Sequence, residues 1–258
     1  MSFRDVSDPT DRLTKPEAPS DEEFQDPWDL WTKISSNLSV SHWVWEASEE
    51  IFDFNPVKKA GEWIAGDWTS FAKQASLFHN IGAACRDIGG NVHAGRKDLE
   101  ITWWGNAADG AFSYLDRLSA DIAKEHQPLD QIAKIYTTTA HGVWTFTESL
   151  EDAFNSLGDQ LLVMLLSSYA GSALSETGVG AIVGYGVAAL EVAEVLEQWE
   201  GISHGAALVT QMVNAAIGDL EDLTASGVNG VRVDLLPDTP YRNPLVGART
   251  GPVPGERS

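Results

Sequence analysis

Apolar side chains recur along two stretches of the chain at intervals of three and four, the spacing of one face of an α-helix. The first stretch follows Pro56, a residue suited to an opening helical turn, and carries Ile64, Trp68, Phe71, Ala75, Phe78, Ile81, Cys85, Ile88, Val92 and, after one step of seven that skips Gly95, Leu99. Gly66, Gly82, Gly89, Gly90 and Gly95 interrupt it. Each costs up to about 1 kcal/mol against alanine in a helix interior, and each lets a neighbouring backbone come close. The second stretch alternates steps of four and three from Ala108 through Phe112, Leu115, Ser119, Ile122, His126, Leu129, Ala133, Tyr136, Ala140, Val143, Thr147, Leu150, Phe154 and Leu157 to Leu161. An average step of about 3.5 is coiled-coil spacing. Leu118, Ile132, Ile135 and Phe146 widen the stripe, so more than two helices pack together.

These two stretches predict a long antiparallel helical hairpin with arms of roughly forty and fifty residues, extending about 60–75 Å at 1.5 Å per residue. Pro128 removes a backbone hydrogen bond inside the second arm and predicts a kink near Gln127. Residues 161–196 are the most apolar part of the chain and form two runs split by Glu176 and Thr177, each shorter than the ~20 residues a membrane-spanning helix needs. Their glycines suit close helix contact, so they read as an additional apolar, Gly-rich helical hairpin, with a third apolar helix from Ala206 returning along the bundle. The predicted fold is therefore all-α, an elongated helical bundle. Residues 1–29, acidic and proline-containing, read as a flexible leader, residues 30–235 as the helical domain, and residues 236–258, rich in Pro and Gly, as a disordered tail. Between Trp28 and Trp68 the chain crowds six tryptophans. They read as short helices packed on the main body, a partner-binding aromatic patch being the alternative.

The hairpin corner falls at TWWGNAADGAF, residues 102–112. Gly105 permits a sharp change of direction, Gly105 or Asn106 can cap the second helix, and Trp103 and Trp104 cover the end where the helices diverge or present an aromatic to a partner. Trp103, Trp104 and Gly105 fit the Trp-x-Gly signature of the WXG proteins, substrates of the bacterial type VII (ESX) secretion system, and the GEWIAGDW run at residues 61–68 resembles the opening of the helical domain in larger actinobacterial members. The resemblance covers roughly residues 56–161. It implies a non-enzymatic helical protein, a secreted substrate or secretion partner, that pairs with itself or a small WXG protein and meets the secretion machinery. Helix burial through Ile64, Phe71, Phe112, Leu115, Ile122, Leu150 and Phe154 is the expected means of pairing. The family's export tag, a Tyr with an acidic residue four positions later, is absent at every tyrosine, so a partner is expected to supply it.

Composition narrows the function further. With 38 acidic against 17 basic residues the formal net charge is −21, which repels phosphate backbones and anionic headgroups and argues against nucleic-acid binding. Cys85 is the only cysteine, so an intramolecular disulfide is impossible. The first thirty residues lack the basic start and apolar centre of a signal peptide. Export by a signal-peptide-independent route is expected, or else a cytoplasmic location. The six histidines show no metal-binding spacing, and no nucleophile elbow or phosphate loop is present. No catalytic, cofactor or metal site is expected. The alternative function is a toxin-like effector whose residues 161–196 insert in membranes or form oligomers.

Overall fold

The computed structural model of the chain describes residues 5–19, 24–38, 42–173 and 179–225. Among them the regular structure is helical throughout, the all-α bundle that the periodicity predicts: α1 (Pro27–Asn37), α2 (His42–Phe52), α3 (Pro56–Ile64), α4 (Trp68–Glu100), α5 (Asn106–Lys124), α6 (His126–Ala173) and α7 (Val179–Ala225). The chain divides into two compact units. One comprises the described residues of Met1–Glu17, Lys73–Ile135 and Gly218–Ser258, the other those of Ala18–Ala72 and Tyr136–Ile217. The tail expected at 236–258 lies outside the described residues.

Within the first unit α4 and α5 run antiparallel around Gly105, as the two stretches predict. A Cβ on Gly89 would lie 2.7 Å from the Ser119 carbonyl oxygen, and one on Gly82 would lie 3.3 Å from His126 Cα. Glycines at these two positions let the backbones touch. Salt bridges cross the same seam, with His79 Nδ1 3.0 Å and Arg86 3.7 Å from Asp130, and His93 3.5 Å from Asp116. The second arm is not one bent helix. It breaks at Glu125, and Pro128 sits in the first turn of α6, where its missing N–H has no intrahelical partner to lose.

The first arm also breaks, between Ile64 and Trp68. Ala65 ends α3 by donating its N–H to the Gly61 carbonyl (2.9 Å), Asp67 Oδ1 accepts from Ser70 N (2.9 Å), and the Trp68 indole N–H donates to the Ile64 carbonyl (2.8 Å). Apolar spacing continues across the break because Trp68 folds back on the end of α3.

The second unit is built on α6 and α7, again antiparallel. Gln198 Nε2 donates to Ser156 Oγ at 2.9 Å, Gly205 abuts Phe146, and Gly142 abuts Met212. The hairpin expected in residues 161–196 is therefore longer than its apolar runs: α6 carries the first run as a continuation of the second arm, and α7 joins the other run to the third apolar segment. The side chains of residues 167–191 lie outside the described residues. Three short helices converge on this pair. Trp31 and Ile34 from α1, Val44 and Trp45 from α2, and Ala60 and Ile64 from α3 share a core with Leu150, Phe154, Leu157, Leu161 and Met164 of α6 and Val195 and Ile202 of α7. Six aromatic or aliphatic residues from the tryptophan-rich region thus pack on the main body.

Two polar side chains position the short helices. Asp26 Oδ1 accepts from Trp28 N (2.9 Å) to cap α1, while its Oδ2 accepts from Thr69 N and Thr69 Oγ1 (both 2.7 Å) at the start of α4. One carboxylate joins two helix N-termini, where positive dipole ends favour it. Asn55 caps α3 through Val57 N and Lys58 N and donates to the Trp45 carbonyl, tying α3 to α2. Asp53 ends α2 with φ 61, a left-handed conformation that aspartate tolerates better than most side chains. Replacing Asp26 with alanine is expected to lower stability by about 1.5 kcal/mol, read from urea denaturation, against a change within about 0.5 kcal/mol for the exposed Glu148→Ala.

The leader expected to be without structure carries some. Residues 5–14 lie along α4 and include a single 3-10 turn, Pro9–Arg12, capped by Asp8. Phe24 is buried against Ala72 and Ala140. Polarity and proline content hid both: residues 5–14 are held by hydrogen bonds, and Phe24 is a lone apolar anchor without a periodic stripe around it.

Candidate functional site

The helix α4 ends at Glu100, and the residues after it turn through Trp103 and Trp104 to Gly105, whose φ of 100 is accessible at low cost only to glycine. Gly105 caps α5 without a side-chain hydrogen bond, and its carbonyl accepts from Asp109 N at 3.0 Å. A latch closes the corner beneath. The Arg96 guanidinium carbon lies 5.0 Å from the Phe112 ring centroid, and Arg96 Nε lies 3.3 Å from Asp116 Oδ1 as an ion pair without hydrogen-bond geometry. Trp103 packs edge-on to Phe112 at 5.7 Å. Trp104 does not join it and is 82% exposed. Of the two tryptophans expected to cover the open end, one does so and the other projects outward. Ile101 is 77% exposed, and Leu99 adds a third open apolar side chain close by in sequence.

Of the seven residues expected to carry pairing, only Phe112 lies at this corner. Ile64, Leu150 and Phe154 belong to the second unit's own core, and Phe112 is buried under Trp103. Phe71 packs against Tyr136 at 4.5 Å, while Leu115 and Ile122 are half-buried on α5. Ile64, Phe112, Leu150 and Phe154 are thus buried in this chain's own packing, whereas Phe71, Leu115 and Ile122 keep part of their surface open.

A concavity lies in the second unit. It measures about 530 Å³ and is lined by Phe54, Lys58, Lys59, Trp63, Trp199 and Ser203, among others. Trp63 stacks on Trp199 at 5.4 Å, and Phe54 lies 4.8 Å from Trp199. Lys58 pairs with Glu49 at 2.8 Å and Lys59 with Glu62 at 2.7 Å. The Glu49 hydrogen bond and charge raise Lys58 above the ordinary lysine range, so its amine stays protonated and is unsuited to nucleophilic or base chemistry. Trp199 escaped the sequence reading because it lies on α7, far along the chain from the other tryptophans.

Among the described residues no group of three or more His, Cys, Asp or Glu side chains is placed to hold a metal ion, and no described helix is long and apolar enough to cross a membrane. Cys85 is half-buried, and burial followed by the charge of Glu125 pushes its thiol above the usual range. Little thiolate therefore forms near neutral pH. Iodoacetamide at pH 8 is expected to alkylate Cys85 more slowly than glutathione, and an equal or faster rate would contradict this environment.

Comparison with known proteins adds no relative. No family model, curated protein or solved structure matches the chain. Its own geometry, an apolar corner supported by the Arg96, Phe112 and Asp116 latch, is what bears on function.

Proposed function

We propose that the chain is a non-enzymatic helical protein of the WXG type, a substrate or secretion partner of a bacterial type VII (ESX) system, which associates with a second copy or a small family member. The reading is carried by one observation: a glycine-dependent turn between two long antiparallel helices holds Trp104 82% exposed. A tryptophan so placed contributes little to its own fold, while an indole buried at an interface is among the commonest hot spots. Leu99 and Ile101 supply neighbouring apolar surface. Because no tyrosine is followed four positions later by an acidic residue, the partner brings the export tag in this scheme.

Light-scattering mass after size-exclusion chromatography, with and without a co-expressed small WXG protein, tests the reading. The expected result is a defined heterodimer with the small WXG protein that Trp104→Ala dissociates while leaving the thermal melt unchanged. No association with the small WXG protein, or a heterodimer that survives Trp104→Ala, overturns it.

A further inference from the structure

The segment along α4 is held in a way that apolar packing does not explain. No residue between 5 and 14 is buried, and Val6 and Leu13 are 76% and 57% exposed. Its described contacts to α4 are polar. Asn91, buried on α4, accepts from Val6 N (2.9 Å) and Ser7 N (3.2 Å) through Oδ1 and donates Nδ2 to the Ser7 carbonyl (2.7 Å). Arg12 Nε donates to Asp87 Oδ2 at 2.8 Å, and Asn80 Nδ2 donates to Thr14 Oγ1 at 3.0 Å. Asn80, Asp87 and Asn91 fall at helical spacing on one face of α4, with buried Ala84 between them. The segment runs antiparallel to the helix.

These contacts divide the recognition. Asn91 engages only main-chain groups, two successive N–H donors and one carbonyl, and so accepts any extended dipeptide able to donate both. Asp87 reads a side chain, selecting a cation five positions after the second clamped residue. Asp8 shapes the intervening turn by accepting from Thr10 N (2.9 Å) and Thr10 Oγ1 (2.6 Å). An arrangement that relies on directed polar contacts, with little apolar surface behind them, belongs to the readily opened part of a fold.

We propose that this face of α4 is a binding site for an extended, cation-bearing peptide, filled in cis by residues 5–14 and in trans by the same segment of a second copy. The identical segment reproduces every described contact, and exchange of an identical element between copies is a low-cost route to dimers. The site shares no residue with the Trp104 corner, so the two can fail separately.

The test uses full-length chain and a fluorescein-labelled synthetic peptide of residues 5–16, followed by fluorescence anisotropy. Ser7→Pro removes one clamped N–H and Arg12→Glu reverses the cation. A chain carrying both is expected to bind the wild-type peptide at least about tenfold more tightly than the wild-type chain does, because its own segment no longer competes. Adding Asp87→Asn, or separately Asn91→Leu, is expected to abolish that gain. Wild-type chain at rising concentration is expected to show a dimer by light scattering that persists with Trp104→Ala and is lost with Ser7→Pro/Arg12→Glu. No peptide binding by the double variant at native circular dichroism, or binding indifferent to Asp87→Asn, overturns the site. A mass that stays monomeric, or a dimer indifferent to Ser7→Pro/Arg12→Glu, overturns the second copy as its occupant.

Discussion

Phe154→Ala is expected to lower the stability of the fold by about 3–5 kcal/mol, the usual range for deleting a large aromatic side chain from a core. Phe154 is fully buried on α6 and meets Trp31 edge-on at 5.1 Å and Trp45 at 5.9 Å. Those rings come from α1 and α2, and Ile64, in the same core, comes from α3. The phenyl ring is therefore the common contact through which the first two short helices are fastened to the long pair. Its removal leaves a cavity between indoles that are themselves constrained: Gly61 lies so close to Trp31 that a Cβ there would come within 3.2 Å of the indole nitrogen. Collapse into the space is restricted, which puts the cost toward the upper part of the range. Against a total of about 5–15 kcal/mol for a typical domain, that is a large fraction. Urea denaturation at constant m-value reads it, with Val163→Ala, half-exposed on the same helix, expected to change stability by less than about 0.5 kcal/mol. A loss below about 1 kcal/mol for Phe154→Ala would mean that α1 and α2 do not pack on α6 as described.

The apolar periodicity that selected Phe154 was legible because a core face repeats with the helix. It located the α4 and α5 pair and the apolar face of α6, though not the length of α7, and Pro128 placed the interruption of the second arm within a few residues of Glu125. It missed the break at Ala65, where Ile64 and Trp68 keep the spacing of one helix although they stand on two. The signal present there was polar: Gly66 followed by Asp67, a capping residue just ahead of a new apolar run. Asp26, Asn55 and Asn91 escaped for the same reason. Each acts through hydrogen bonds to main-chain groups that are distant in sequence or belong to another helix, and such bonds leave no periodic trace. The candidate site was half legible. The corner and its glycine followed from where the two stretches meet, but the separation of roles between Trp103 and Trp104 depends on the Arg96, Phe112 and Asp116 latch, which only tertiary packing assembles.

Two adjacent glycines offer the sharpest test of the α4 and α5 pairing, because their substitutions are expected to have opposite signs. Alanine favours a helix interior over glycine by up to about 1 kcal/mol, and at Gly90 a new Cβ would meet nothing within 4 Å. Gly90→Ala should therefore stabilise the protein by up to about 1 kcal/mol. At Gly89 the same methyl group would lie 2.7 Å from the Ser119 carbonyl oxygen, 2.8 Å from Ala123 Cβ and 3.0 Å from Ala123 N. Two of those three atoms are backbone, and the third is fixed to it, so no rotamer change relieves the clash. The helices must separate, stretching the Asp116 and Asp130 salt bridges across the seam, and overpacking of this kind costs about 1–3 kcal/mol. At mid-range that exceeds the propensity gain, so Gly89→Ala should destabilise by a net of about 1 kcal/mol, leaving the two variants about 2 kcal/mol apart by urea denaturation. If both stabilised the protein, Gly89 would be facing open space and the α4 and α5 backbones would not touch. If both destabilised it, the unobstructed space beside Gly90 would be wrong instead, and α4 would carry a neighbour on that side too.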